Sequence, residues 1–206
     1  MKRVSEFIKA ILAGIAISIG GVVFLSCDVK YVGAFLFSTG LVSVCMFGFN
    51  LYTGKIGYVL ENDKVFFLDT VLSVIGNCVG CLIIGMIKSP IGNVVNICSA
   101  KLEKAPLNVL VDAALCGLLI FICVDIFKKK NTVVGILLCI PTFILCGFEH
   151  SVADMFYFIN ARMINSQSVV FILIVILGNA IGGLFIPVMM KLVKLTSGEK
   201  ETEKTK

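Results

Sequence analysis

The sequence contains no tryptophan, four prolines and a single histidine, and only 15% of its 206 residues are charged. So few charges do not suit a soluble globular domain, in which about 25% of residues are charged. A lone histidine likewise cannot supply a histidine-rich metal site. Apolar residues make up 58% of the chain, and the mean hydropathy is +1.03. The composition therefore predicts a membrane protein.

Six apolar stretches are long enough to span a bilayer, since about 20 residues of helix cross a ~30 Å hydrocarbon core. They lie near 7–27, 31–60, 65–87, 105–127, 132–159 and 168–193. The first continues at full spanning length without the small-residue cleavage site of a signal peptide, so we interpret it as a helix. We expect one six-helix membrane domain over 1–196 and a disordered charged tail over 197–206.

The lysines and arginines predict the orientation. If both termini share one side of the membrane, only Lys30, Lys88, Lys101, Lys104 and Arg162 lie on the other side. The positive-inside rule then predicts both termini in the cytoplasm, with the chain in the cell (inner) membrane. No basic patch is interleaved with aromatic residues, so we expect a lipid bilayer and no nucleic acid as partner.

The nine cysteines indicate neither a metal site nor a disulfide framework. Eight of them lie in or beside apolar runs, and no CxxC pair is accompanied by a second ligand cluster. We interpret them as small buried apolar side chains, and we expect no metal and no cofactor.

Two of the spans are too long for one straight helix. Residues 132–159 would extend ~40 Å, beyond the hydrocarbon core. Their middle carries Gly147, Glu149, His150 and Asp154, and the middle of 31–60 carries Gly48, Asn50, Thr53 and Gly54. Each stretch is predicted to be a helix broken at membrane depth, with the break facing protein or a water-filled cavity.

Two pairs of motifs repeat about a hundred residues apart. "FGFNLYTG" at 47–54 aligns with "CGFEHSVA" at 146–153, and "IGNCVG" at 75–80 matches "LGNAIG" at 177–182. They indicate a duplicated unit of three spans, over about 1–100 and 101–196, and an odd number of spans forces the copies into opposite orientations. The sequence thus predicts an all-α membrane protein with an inverted repeat of three plus three helices and broken second and fifth helices, whose site lies near the bilayer midplane.

Glu149 and His150 are the charge-capable pair at the second break. An ionised group at the bilayer centre costs at least ~2.5–3.5 kcal/mol, so such groups face a cavity or a partner. Alternatives are an interfacial helix end capped by the pair and, with weaker support, a metal site. Ser151 would be a nearby nucleophile, but no GxSxG or HExxH framework surrounds it, and we expect no enzyme.

The motifs at the two breaks resemble those of the formate/nitrite transporters, a family that includes hydrosulfide channels. "GFEHSVADM" is close to that family's fifth-span signature, usually GFEHSxANM. "GFNLYTG" resembles its second-span loop, usually GAELFTG, and "GNxxGG" near the end also fits. The resemblance covers nearly the whole chain except the tail, and it implies an aquaporin-like protomer that assembles as a homopentamer with one pore per protomer.

The resemblance also implies roles for particular residues. His150 matches the central pore histidine, Thr53 the threonine that faces it, and Lys101 a lysine that approaches Glu149. The remaining matches are the constriction residues Leu51, Tyr52, Phe37, Leu41 and Phe143 and the sixth-span Asn179. Without the resemblance, Phe37, Leu41 and Phe143 would equally be helix-packing residues, and Lys101 an interfacial lysine.

Four positions depart from the family pattern. Asn50 replaces an acidic residue, Phe49 replaces a small one, Asp154 stands at the usual asparagine position, and Gly117 falls where an asparagine is common. Asn50, Asn179 and Asp154 are expected to be supporting polar residues. The departures bear on the solute and on gating, and they leave the predicted architecture unchanged.

The implied function is passage of a small monovalent weak-acid anion such as formate, nitrite or hydrosulfide. The hypothesis includes proton coupling, in which Lys101 attracts the anion and His150 donates a proton or a hydrogen bond. Two alternatives stay open. One is an aquaporin-like channel for neutral solutes, although neither break carries an Asn-Pro-Ala box. The other is a membrane scaffold or regulator that has lost transport, which the departures at Asn50 and Gly117 favour.

Overall fold

The computed structural model describes residues 2–197, and within that range every regular element is helical. A 3₁₀ helix over Ile56–Glu61 follows α3. The α-helices are α1 (Lys2–Ser26), α2 (Lys30–Phe47), α3 (Tyr52–Lys55), α4 (Lys64–Ile87), α5 (Val94–Leu102), α6 (Pro106–Lys130), α7 (Val134–Cys146), α8 (Ser151–Asn160) and α9 (Ser166–Thr196). The end of the predicted tail, 198–206, lies outside the described residues.

The helices form six spans, as predicted. Helices α1, α2, α4, α6 and α9 are each long and apolar enough to cross a membrane, and α7 with α8 forms a sixth span bent by 56°. The predicted second span, 31–60, ends as a continuous helix at Phe47 and resumes only in the short α3. Helix α5, within the described residues, is a short helix between the third and fourth spans that the hydropathy pattern did not predict.

Both breaks begin at a glycine in the left-handed region of backbone conformation. Gly48 has φ 65° and Gly147 has φ 73°, a conformation that a side chain disfavours. After Gly48, the Phe49 N–H donates to the Val44 carbonyl at 2.9 Å. After Gly147, the Phe148 N–H donates to the Phe143 carbonyl at 3.0 Å. The two repeats thus end their helices in the same way, which confirms the predicted broken second and fifth helices.

Small residues bring the outer helices of each repeat into close contact. Helix α1 packs along α4 in the first repeat, and α6 packs along α9 in the second. A Cβ added to Gly76 would lie 2.5 Å from the Ala10 Cβ, and one added to Gly178 would lie 2.5 Å from the Ala113 Cβ. Such closeness requires glycine, as in the small-xxx-small motifs of membrane helices.

The position of Gly117 is explained by the same packing. A Cβ at this residue of α6 would lie 2.2 Å from the carbonyl oxygen of Asn179 on α9. The matching residue of the first repeat, Gly14, has the same relation to Asn77, at 2.1 Å. This departure from the family pattern therefore serves contact between two helices.

Candidate functional site

The two breaks meet at a buried polar pair, Thr53 and His150. Thr53 lies in α3, directly after the first break, and His150 is the residue that precedes α8, directly after the second. Thr53 Oγ1 and His150 Nε2 are 2.9 Å apart. Both side chains are almost fully buried, at 1% and 2% exposure. The structure thus places the predicted pair where the inverted halves join.

The hydrogen bonds of His150 define its tautomer. Its Nδ1 accepts the backbone N–H of Ala153 at 3.1 Å and so caps α8. An Nδ1 that accepts a hydrogen bond carries no proton, so the neutral ring is protonated at Nε2. Nε2–H therefore donates to Thr53 Oγ1, and the hydroxyl hydrogen of Thr53 is left to donate elsewhere. Protonation of Nδ1 would remove the cap.

Two cavities lie on opposite sides of this pair. The proximal cavity, of about 570 Å³, lies at the face where α1 begins, and its lining includes Leu41, Asn50, Leu51 and Lys55. The distal cavity, of about 430 Å³, lies at the opposite face. Its lining includes Asn93, Lys101, Phe143, His150, Asp154 and Tyr157.

An apolar plug, formed by Phe37, Leu41, Leu51 and Phe143, lies beside the pair. All four side chains are buried. Phe37 and Phe143 meet edge to face, with ring centroids 6.1 Å apart, and Phe143 stacks on the His150 ring at 5.8 Å. Leu41 and Leu51 line the proximal cavity, whereas Phe143 lines the distal one. Residues of the plug thus line both cavities, and their apolar side chains offer an ion no hydrogen bonds.

Tyr52, the fifth residue expected at the constriction, packs against α9. Its hydroxyl donates to the Ile176 carbonyl of α9 at 3.1 Å, and its backbone N–H donates to Asn77 Oδ1 at 3.0 Å. Like Phe37, it lines neither of the two cavities. The physical reason is that α3 turns successive side chains in different directions, so that Tyr52 faces α9 while Thr53 faces His150.

A cluster of four charges surrounds Glu149 at the distal side. Lys101 Nζ contacts both Glu149 and Asp154 Oδ1, the latter at 2.9 Å. Lys104 Nζ lies 2.7 Å from Glu149 Oε1 and 2.8 Å from Asp112 Oδ2. Glu149, with 0% exposure, thus forms ion pairs with two lysines.

Lys104 is a member of this cluster that the sequence did not predict. Partial burial disfavours its charge, but its hydrogen bonds to Asp112 and Glu149 outweigh that cost and hold the pKa of Lys104 above its usual range. Lys104 lies between the end of α5 at Leu102 and the start of α6 at Pro106, so no helical spacing in the sequence indicated it.

Two asparagines, one in each repeat, form equivalent hydrogen bonds to the backbone at the two breaks. Asn179 accepts the Ser151 N–H at 2.9 Å and donates to the carbonyls of Ala113 at 2.8 Å and Glu149 at 2.9 Å. These bonds satisfy backbone groups that the break frees at membrane depth.

Asn77 repeats the pattern in the first half, where it was not predicted. It accepts the Tyr52 N–H at 3.0 Å and donates to the carbonyls of Ala10 at 2.8 Å and Asn50 at 2.9 Å. The match of "IGNCVG" to "LGNAIG" was the available signal, since it aligns the two asparagines.

Asn50 lies where the first repeat has the counterpart of Glu149. Its side-chain amide donates to Glu6 Oε2 at 2.8 Å and to the Glu6 carbonyl at 2.9 Å, and its Oδ1 lies 3.4 Å from Lys55 Nζ. A carboxylate thus approaches both breaks, but at the first break it comes from α1.

Among residues 2–197, no three histidine, cysteine, aspartate or glutamate side chains lie close enough together to hold a metal ion. The nine cysteines are free thiols.

Six spans, two broken helices and a plug between two cavities define a multi-pass membrane transport protein. The chain belongs to the formate/nitrite transporter family, because a sequence model described as "Formate/nitrite transporter" matches residues 1–193. No curated protein sequence matches the chain.

Solved structures that share the fold include two channels. One, "FNT family ion channel", is 21% identical with a TM-score of 0.80, over 94% of this chain and 90% of the other. The second, "Pentameric formate channel with formate bound", is 22% identical with a TM-score of 0.76, over 94% of this chain and 98% of the other.

Proposed function

We propose that this protein is a transmembrane channel or transporter for a small monovalent weak-acid anion, of the class of formate, nitrite or hydrosulfide, that crosses together with a proton. The observation that carries the proposal is the apolar plug beside Thr53 and His150, with a cavity on either side. Family membership supports it, as does the shared fold with a formate channel that was solved with formate bound.

The apolar plug is the reason why the proposal includes a proton. An ion that loses its hydration among apolar side chains bears a large free-energy cost, because Phe37, Leu41, Leu51 and Phe143 offer no hydrogen bonds in return. The neutral acid HA loses far less hydration. A proton that joins the anion in a cavity therefore lowers the barrier at the plug.

Thr53 and His150 would supply the polar contact at the plug. Because His150 Nδ1 accepts the Ala153 N–H, the proton of the imidazole lies on Nε2. Because Nε2–H donates to Thr53 Oγ1, the Thr53 hydroxyl hydrogen points away from His150. The solute would then accept a hydrogen bond from Thr53, while His150 positions that hydroxyl. Lys101, held by Glu149, supplies positive charge at the distal cavity.

The assembly and the orientation are parts of the same proposal. The protein would form a homopentamer with one pore per protomer, since a solved formate channel that shares its fold is pentameric. It would lie in the cell inner membrane with both termini in the cytoplasm. The proximal cavity would then face the cytoplasm and the distal cavity the outside.

Uptake into liposomes tests the proposal. The purified full-length protein is reconstituted, and labelled formate, nitrite and hydrosulfide are offered with a more acidic medium outside than inside. We expect uptake of at least one of them above that of protein-free liposomes, and faster uptake as the outside becomes more acidic. Osmotic swelling with glycerol covers the neutral-solute alternative. Glycerol flux without anion flux, or no flux through folded protein, would contradict the proposal.

A further inference from the structure

Asp154 is a buried carboxylate with one unpartnered oxygen in the wall of the distal cavity. The residue is 1% exposed, and its Oδ1 lies 2.9 Å from Lys101 Nζ. Its Oδ2 has no hydrogen-bond partner among the described residues. Since a buried polar atom is normally hydrogen-bonded, this oxygen requires an explanation that the ion pair does not supply.

The charges of the surrounding cluster do not balance when Asp154 is ionised. Lys101 and Lys104 supply two positive charges, and the carboxylates of Asp112, Glu149 and Asp154 supply three negative ones. The cluster then carries one net negative charge, which repels an anion in the same cavity. One proton on Asp154 brings the net charge to zero and leaves Lys101 with one carboxylate instead of two.

We propose that Asp154 Oδ2 is the proton-binding site of the distal cavity, and that the anion binds there only when Asp154 carries that proton. The Oδ2–H group then has its missing partner, because it donates to the bound anion. The anion and the proton together make up the neutral acid that the plug passes. This inference rests on the proposed function for the identity of the ligand.

The groups that face Asp154 come from several elements. Lys101 and the Cys98 thiol lie on α5, Glu149 on the break, the Cys116 thiol on α6 and the Tyr157 phenol on Asp154's own helix. His150 lines the same cavity, but its Nδ1 is occupied by the Ala153 N–H. Of the carboxylates in the cluster, Glu149 accepts from two lysines and Asp112 is partly exposed, so Asp154 is the buried one with an oxygen free for a proton.

Formate binding to the purified full-length protein in detergent, followed by ligand-observed NMR, tests the inference. Between about pH 5.5 and 8.5, formate is ionised, as a small carboxylic acid with a pKa of about 4 must be. We expect the Kd of the wild-type protein to rise with pH, by about tenfold per unit above the titration of Asp154. In Asp154→Asn we expect a Kd that does not change with pH, because the amide is neutral throughout and its N–H replaces Oδ2–H.

Two further variants act as controls. Asp125→Asn removes a carboxylate that pairs with Lys129 outside this cluster and should keep the pH dependence, whereas Asp154→Glu should keep it with a shifted midpoint. A pH-independent wild-type Kd, or an Asp154→Asn variant with the wild-type pH dependence, would overturn the inference. If Asp154→Asn does not fold, the wild-type protein is tested instead. Formate is added in weak buffer, and we expect the protein to bind protons from the solution. No proton binding would overturn the inference.

The binding and uptake experiments distinguish a failure of this inference from a failure of the proposed function. Liposomes that take up formate, combined with pH-independent binding, would overturn only the role of Asp154. pH-dependent binding that Asp154→Asn abolishes, combined with no uptake of any anion, would overturn only the transport function.

Discussion

Thr53 and His150 are 97 residues apart in the chain, yet Thr53 Oγ1 lies 2.9 Å from His150 Nε2. Each residue follows a helix break, and the two breaks belong to repeats of opposite orientation. Because Nδ1 of His150 caps α8, Nε2–H donates to Thr53 Oγ1, and the Thr53 hydroxyl hydrogen is left to donate to another acceptor. The pair and the packing that supports it can each be tested by substitution.

Replacing His150 with Phe should abolish anion uptake while the protein still folds and assembles. Phenylalanine fills the space of the imidazole and stacks with Phe143 in its place, but it offers no Nε2–H and no Nδ1. We expect formate uptake into liposomes to fall at least about tenfold, with the oligomer retained on size-exclusion chromatography with light scattering. Unchanged pH-dependent uptake by this variant would rule out a role for the imidazole.

Replacing Thr53 with Val should reveal the contribution of the hydroxyl to uptake, because valine has nearly the same shape without it. Valine leaves His150 Nε2–H without a partner and gives the solute no donor. A buried hydrogen bond lost in this way costs about 1–3 kcal/mol, so uptake should fall by about tenfold or more. The matched control, Thr53→Ser, retains the hydroxyl and should retain most of the uptake. Equal uptake by the two variants would show that the hydroxyl is not used.

Replacing Asn179 with Leu should destabilise the second break. The leucine leaves the Ser151 N–H and the Glu149 carbonyl without partners in an apolar region. We expect a cost of about 1–3 kcal/mol for each unsatisfied group, visible as a lower Tm in detergent. Asn77→Leu should have a similar effect, because Asn77 makes the equivalent bonds in the first repeat.

The exposed Asn108 offers a control for these two variants, because its side chain makes no hydrogen bond to any of residues 2–197. Asn108→Leu should change stability by no more than about 0.5 kcal/mol. A similar Tm for Asn108→Leu and Asn179→Leu would mean that the bonds of Asn179 do not stabilise the break.

Replacing Gly182 with Ala should disrupt the contact between α6 and α9. The added Cβ would lie 1.8 Å from the carbonyl oxygen of Ala114, and backbone atoms cannot move aside without separating the helices. We expect a loss of stability of about 1–3 kcal/mol or more, measured by thermal unfolding in detergent. Gly54→Ala is the control, since its Cβ would meet nothing closer than 3.7 Å. A Gly182→Ala variant as stable as Gly54→Ala would contradict the packing described.

Much of the fold could be predicted from local patterns. Hydropathy predicted the six spans, and glycine beside polar residues predicted the breaks at Gly48 and Gly147. Helix α5 was not predicted, because a nine-residue helix between two spans has too short an apolar pattern to stand out. The resemblance to a family indicated that Lys101 approaches Glu149. It did not indicate Lys104, nor the second ion pair of Lys101 with Asp154.

Other features depend on contacts that no local pattern contains. Glu6 reaches Asn50 across 44 residues, and Tyr52 faces Ile176 across 124. Both contacts depend on how α1 and α9 pack against the first break. These contacts hold the side chain of Tyr52 against α9, whereas its neighbour Thr53 contacts the predicted partner His150.

The sequence by itself determined that the chain lies in a membrane, that it crosses six times and that its halves are inverted copies, because apolar length and repeated motifs are properties of the chain alone. Only the tertiary structure decided which polar groups meet: the tautomer of His150, the two lysines on Glu149 and the unpartnered oxygen of Asp154. The physical reason is that a hydrogen bond or an ion pair forms over about 3 Å, and the packing of distant helices decides which groups come that close.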